Sequence, residues 1–279
     1  MPSNEEQVAF WNGTAATRWV QGQVRMDRTL RPLGLAALEA AELAPGHRVL
    51  DVGCGCGDTT FELARRVGPQ GRVIGVDVSA QMLAHARARA AEVGVEATCH
   101  EADAASAPLP TVDRIFSRFG VMFFDEPEAA FANLRSALVS GGRLSFVCWR
   151  GLGANAWARL PFEAVNAVLG PPPGPPDPHA PGPFAFAEPE RVTRILSGAG
   201  FSDVALSPLD LELEWAESVD DATLRDAFVN LGPAARRLYD APEDVREAAA
   251  EAILGQLRPH AREGRLALAS AVWVVSARA

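Results

Sequence analysis

Val49-Leu50-Asp51-Val52-Gly53-Cys54-Gly55-Cys56-Gly57-Asp58 runs from an apolar segment straight into three alternating glycines and an acid. The apolar part reads as a buried strand and the glycines as a tight loop, with a helix following at once. Twenty residues past Gly57, Val73-Ile74-Gly75-Val76-Asp77 repeats the pattern of a strand that ends in an acid. A parallel α/β sheet holds a nucleoside with this spacing. The loop lets backbone approach the ligand, and the second acid grips two ribose hydroxyls. The identity of the nucleoside therefore decides the function.

Outward from this unit, strands are predicted at 48–53, 72–77, 96–102, 112–118 and 143–149. Helices are predicted at 58–67, 79–93 and 127–139, the last begun by Asp125 with Pro127 in its first turn. Gly68, Gly94 and Gly141-Gly142 stand where helices end. The alternation predicts an α/β fold: a doubly wound, seven-stranded, mostly parallel sheet with an antiparallel last strand at 266–277. Ahead of it, residues 1–44 read as a helical arm. Ser3 and Glu6 form a capping box, and Leu30, Leu33, Ala37, Leu38 and Ala41 share one helical face. Residues 45–150 are the nucleoside-binding core.

The pattern changes after Arg150. Residues 151–186 hold a short helix (155–169) and Pro171–Pro183, where eight of thirteen residues are proline. That composition excludes regular helix or central strand and suits a stiff spacer or a lid. Residues 187–279 complete the sheet with a helix from Pro189 and a strand at 203–215. A helical cap is expected at 218–258.

The formal net charge of −9 argues against a nucleic-acid partner, because phosphate neutralisation needs a basic face. No apolar run is long enough for a membrane span, and the first ten residues are too acidic for a signal peptide. Cys54, Cys56, Cys99 and Cys148 lie in or beside predicted strands, as reduced cytosolic thiols do, so a cytoplasmic protein is expected. Cys54-x-Cys56 without a second pair is no zinc framework, and no metal is expected.

The glycine spacing departs from the dinucleotide fingerprint, whose third glycine comes one residue later. Asp58 at the lip of the loop opposes a pyrophosphate, whereas acids at 51 and 58 suit the sulfonium and amino acid of S-adenosylmethionine. At this point the chain resembles the class I S-adenosylmethionine-dependent methyltransferases. The motifs are 49–57, Val76-Asp77-Val78-Ser79, Glu101-Ala102-Asp103, Ser117-Arg118-Phe119-Gly120-Val121-Met122-Phe123-Phe124, and Leu138-Val139-Ser140-Gly141-Gly142-Arg143-Leu144. They recur in the family's order over about 45–150. Phe10-Trp11-Asn12 with Arg18-Trp19, and Cys148-Trp149-Arg150 with Asn155 and Trp157, are similar to the ubiquinone and menaquinone methyltransferase type.

The resemblance implies S-adenosyl-L-methionine as cofactor. Gly53, Cys54, Gly55 and Gly57 would bring backbone to it, and the helix beginning near Thr59 would hold its carboxylate. Asp77, followed by Val78, would take the ribose. Ala102, Asp103 and Ala104 would take the adenine, against which Met82 packs. Ser117 and Phe119 would face the methionine part, Trp19 the sulfonium, and Arg28 the carboxylate. Asp51 either reaches the cofactor or braces the loop from below. Trp11, Met122, Trp149 and Trp157 are candidate acceptor contacts. Methyl transfer needs no protein nucleophile, so no catalytic residue is named; His179 and His260 are the only histidines in segments that reach toward an acceptor.

The expected acceptor is a small, largely apolar metabolite: a quinone, phenolic or polyketide-like molecule methylated on oxygen or carbon. A non-catalytic S-adenosylmethionine-binding subunit is the reading from another class. A nicotinamide-dependent oxidoreductase is disfavoured by the loop.

Overall fold

The computed structural model describes residues 4–172, 174, 177–230 and 232–279. Three helices come first, α1 (Glu5–Asn12), α2 (Thr14–Gln21) and α3 (Gln23–Ala40), separated by Gly13 and Gly22. Leu30, Leu33, Ala37 and Leu38 are buried along α3, and Ala41 just after it, as their spacing at three and four requires. Ser3 of the expected capping box lies outside the described residues; Asn4 stands at the N-cap and makes no side-chain cap bond.

The sheet elements follow in the expected alternation: β1 (Arg48–Val52), α4 (Asp58–Val67), β2 (Arg72–Asp77), α5 (Ala80–Val93), β3 (Thr98–Glu101), β4 (Val112–Arg118), α6 (Pro127–Ala137) and β5 (Leu138–Trp149). After β5 come α7 (Ala156–Leu169), α8 (Pro189–Gly198), β6 (Ser202–Ala216), α9 (Asp221–Phe228), α10 (Gly232–Arg237) and α11 (Glu243–Leu257). A two-residue strand β7 (Ala261–Arg262) and β8 (Arg265–Arg278) end the chain. The sheet order is β3-β2-β1-β4-β5-β8-β6, with β7 paired to β8. β1 through β5 pair in parallel, and β8 runs antiparallel to β5. The chain reverses its direction of travel across the sheet between β1 and β4. Their carboxyl ends therefore form the switch point at which such sheets bind ligands.

Two local expectations need correction. Asp125 does not start α6: Glu126 is its N-cap residue, without a side-chain cap bond, and Pro127 fills the first turn. Nor do Gly141-Gly142 end that helix. It stops at Ala137, and Gly141 takes φ +73° in a bulge where the pairing of β4 jumps from Val112↔Leu138 to Arg114↔Arg143. A bulge needs the same left-handed glycine that a helix end does.

The chain divides into two compact units. The first runs to Trp149 and includes Pro181–Leu209 and Val272–Ala279. Its core is the two-faced sheet, where Leu50, Ile115, Phe116, Phe146 and Val147 are fully buried. The second comprises Arg150–Ala180 and Asp210–Ala271. Here α7 packs on α10 and α11, and Trp157 stacks on Trp215 with ring centroids 4.8 Å apart. Asn155 organises that unit: its amide donates to the carbonyls of Arg150, Gly151 and Ala271, while its oxygen accepts from Ala271 N–H and Trp157 Nε1. Trp157 is thus committed to this core, which corrects its expected role as an acceptor contact.

Candidate active site

The three glycines at the end of β1 have positive φ, but they do different things. A Cβ on Gly53 would stand 2.7 Å from Gly120 Cα, and one on Gly57 would stand 2.7 Å from the Phe61 ring. Those two are glycine because protein already fills the space. Gly55 differs. A Cβ there, at φ +52°, would meet only Met82 Sδ at 3.9 Å and Trp19 Nε1 at 4.0 Å. Of the three, Gly55 alone would take a Cβ without a clash.

Asp77, at the end of β2, is buried. Its Oδ2 accepts the Gly55 N–H at 2.8 Å and its Oδ1 the Ser79 N–H at 2.9 Å. Burial raises its carboxyl pKa, and these backbone donors oppose the shift. The acid therefore fixes the glycine loop against β2 and still has lone pairs for a ligand. Val78 follows with its carbonyl accepting from Asn12 Nδ2. At the end of β3, Ala102 N–H donates to the Asp77 carbonyl, Asp103 Oδ1 accepts the Ala105 N–H at 3.0 Å, and Ala104 is buried with its carbonyl on Asn133.

Asp51 is fully buried beneath the loop. Its Oδ2 accepts the hydroxyls of Thr59 and Thr60 at 2.8 and 2.6 Å, whereas Oδ1 is buried without a protein partner. Burial pushes its carboxyl up to about 6 despite the two hydroxyls. Of the two roles open to Asp51, bracing is the one these contacts display. Thr59 donates its hydroxyl to the same acid, which leaves a ligand its backbone or an accepting lone pair. Cys54 likewise turns into the core: a Cβ on Gly75 would meet its Sγ at 2.8 Å, and it clusters with Leu83, Ala86 and Cys99. It can offer a ligand its backbone only.

Ser117 corrects another expectation. Its hydroxyl donates to the Val52 carbonyl at 2.7 Å and accepts the Gly120 N–H at 3.2 Å, tying β4 to β1. Phe119, at φ +66°, stacks on Trp149 with centroids 4.3 Å apart, and Met122 Sδ accepts the Trp149 N–H. Three of the predicted contact residues thus meet in one aromatic and thioether group.

The arm reaches the loop as well. Asn12 Oδ1 accepts the Ala80 N–H at 3.0 Å, so this one side chain clips α1 to the turn after Asp77. Trp11, Trp19 and Val20 pack against Ala16, Cys56 and Met82, and Trp11 meets Phe123 edge-on. Arg28 is exposed on α3. Arg89 and Arg118 place their guanidiniums at the glycine loop. Arg89 donates to the Cys56 carbonyl at 2.6 Å, and Arg118 pairs with Asp58 at 2.9 Å. Asp27 of α3 accepts from both arginines, at 3.1 and 3.2 Å. Asp58 is therefore a paired acid, and the ligand discrimination expected from its free charge does not hold. Arg118 was legible in principle: a charge that ends an apolar strand needs a partner, as Asp77 does.

A parallel sheet with this switch point, a glycine loop and an acid ending the next strand defines a nucleoside-binding α/β domain. Residues 49–142 match the family model described as a methyltransferase domain. Among curated relatives, aklanonic acid methyltransferase DauC of Streptomyces sp. (strain C5) is 33% identical over 118 residues, covering 41% of this chain and 54% of DauC. The ubiquinone/menaquinone biosynthesis C-methyltransferase UbiE of Cellvibrio japonicus (strain Ueda107) is 35% identical over 111 residues, 38% of this chain and 45% of UbiE. The chain thus spans about half the length of the curated relatives it matches. The crystal structure of a SAM-dependent methyltransferase from Aquifex aeolicus shares the fold, with a TM-score of 0.50 at 18% identity over 92% of this chain and 97% of that one. Among the described residues, no helix is long and apolar enough to cross a membrane.

Proposed function

We propose that this protein transfers a methyl group from S-adenosyl-L-methionine to oxygen or carbon of a small, largely apolar metabolite. The observation that carries the reading is Gly55. A Cβ there would touch Met82 and Trp19 without a clash, and its N–H is fixed by the ribose-type acid Asp77. The residues fit that donor. Asp77 would accept from ribose hydroxyls. Asp103 and the Ala104 N–H would meet the adenine. The backbone at the start of α4 would receive the carboxylate, and Trp19 presents an aromatic ring near the loop for a sulfonium. The orphaned Oδ1 of Asp51 is a further buried acceptor in that region.

The donor supplies a methyl group already activated by its sulfonium. The chain need only align the reactants and exclude water, and alignment alone is worth about 7–11 kcal/mol. Phe119, Met122 and Trp149 form a buried apolar, aromatic group after β4 and β5, in keeping with a flat apolar acceptor. The names of DauC, an aklanonic acid methyltransferase, and of UbiE, a C-methyltransferase of quinone biosynthesis, support that acceptor class.

Calorimetry with S-adenosylhomocysteine tests the donor. The wild type is expected to bind it and to ignore NAD. Asp77→Ala should weaken binding by about 1.5–3 kcal/mol, the value of a charge-assisted hydrogen bond. Unchanged affinity would remove Asp77 from the site. Salt-dependent binding of tRNA or DNA, with methyl transfer to that polymer, would overturn the small-molecule reading.

A further inference from the structure

Two acids and two arginines meet around the glycine loop, and the ligand roles above use none of them. Asp58 is the first residue of α4, beside the backbone proposed to receive the donor's carboxylate. An unpaired acid there would repel that carboxylate. Arg118 prevents this with a 2.9 Å pair in which the two side chains are only 10% and 21% exposed, so solvent screens it weakly. The arginine is itself held. A Cβ on Gly34 of α3 would stand 3.2 Å from its Cδ, so glycine makes room for the stem. Asp27 takes its other edge at 3.2 Å, and Arg89 pairs with Asp27 at 3.1 Å, so the cluster as a whole is neutral.

We propose that Arg118 is a positioning residue for the donor: it pairs with Asp58 and keeps that charge off the donor's amino-acid end. The inference rests on the S-adenosylmethionine reading and deepens it. Arg118 touches no reacting atom. It acts through Asp58, and through Asp27 it ties α3 to the same helix terminus.

The test compares two ligands by calorimetry: S-adenosylhomocysteine, and 5′-methylthioadenosine, which has the same nucleoside and thioether but no amino-acid carboxylate. Arg118→Met is expected to weaken S-adenosylhomocysteine roughly ten- to hundredfold, as an unpaired like charge would, and to leave methylthioadenosine nearly unchanged. Adding Asp58→Asn to that variant should restore most of the loss, and Asp58→Asn alone should hold or raise the affinity. Equal weakening of both ligands by Arg118→Met would make Arg118 merely structural and overturn the proposal. So would a tenfold or greater loss from Asp58→Asn alone, which would mean that Asp58 grips the ligand's ammonium. If Arg118→Met does not fold, Arg118→Gln is put through the same two-ligand comparison, and the same outcomes decide. A wild type that binds neither ligand overturns the donor reading and this inference with it; wild-type binding with a uniform response overturns this inference alone.

Discussion

Gly53→Ala is expected to destabilise the fold, whereas Gly55→Ala, two residues away, is expected to leave the fold standing and abolish donor binding. At 53 the new methyl meets backbone, 2.7 Å from Gly120 Cα, and Gly120 is packed as closely in return. Its own Cβ position is 2.7 Å from the Val52 carbonyl and 3.1 Å from Ser117 Oγ. Overpacking with positive φ should cost about 2–4 kcal/mol. In a chain of this size that lowers Tm by about 5–15 °C. At 55 the methyl would make ordinary contact with Met82 Sδ and Trp19 Nε1, at 3.9 and 4.0 Å, and the left-handed φ costs only about 1 kcal/mol. It would, however, occupy the approach between Met82 and Trp19. Thermal melts and S-adenosylhomocysteine calorimetry on both variants separate the two effects. A wild-type Tm for Gly53→Ala would show that the Gly53–Gly120 contact can give. Undiminished affinity in Gly55→Ala would remove Gly55 from the site.

The contrast also marks what a sequence can disclose. The elements were legible because each rests on local chemistry: the buried run at 49–52, Ser79 capping α5 through the Met82 N–H, and the spacing of Leu30, Leu33 and Ala37. Asp77 was legible because an acid ending an apolar strand requires partners. What stayed hidden depends on which distant residues meet. Nothing local joins Asn12 to Val78 and Ala80, or Arg118 to Asp27 and Asp58. The same limit explains Ser117 and Trp157. Each is the right residue type for a ligand contact, yet each is satisfied within the protein, by the Val52 carbonyl and by Asn155 with Trp215. Asp58 is the instructive case. Its charge was readable and its counter-ion was not, so the electrostatic reading of the loop changed once Arg118 was in place.

Asp51→Asn is expected to stabilise the protein at neutral pH, by an amount that depends on pH. Burial raises the folded-state pKa of Asp51 from 3.8 to about 6. Below about pH 4 the acid is protonated in both states and costs nothing. As pH rises from 4 to 6, the unfolded chain releases the proton while the folded protein keeps it, so stability falls. Above that range the full penalty of about 3 kcal/mol remains, two pK units at about 1.4 kcal/mol each. Asp113 contributes with the opposite sign. Its pair with Arg48 holds it near 2, so its stabilisation is lost as pH falls below 4. Both members of the pair are partly exposed, which makes that contribution small. Asparagine keeps an oxygen for the Thr59 and Thr60 hydroxyls and removes the ionisation. Urea unfolding of wild type and Asp51→Asn between pH 4 and 7 should therefore diverge by about 3 kcal/mol in favour of the variant. Parallel curves would mean that the buried carboxyl is solvated after all. Natural chains keep such a penalty where function needs the group. The same variant should accordingly lose affinity for S-adenosylhomocysteine at pH 7. A gain in stability with unchanged affinity would make Asp51 a brace for the loop and nothing more.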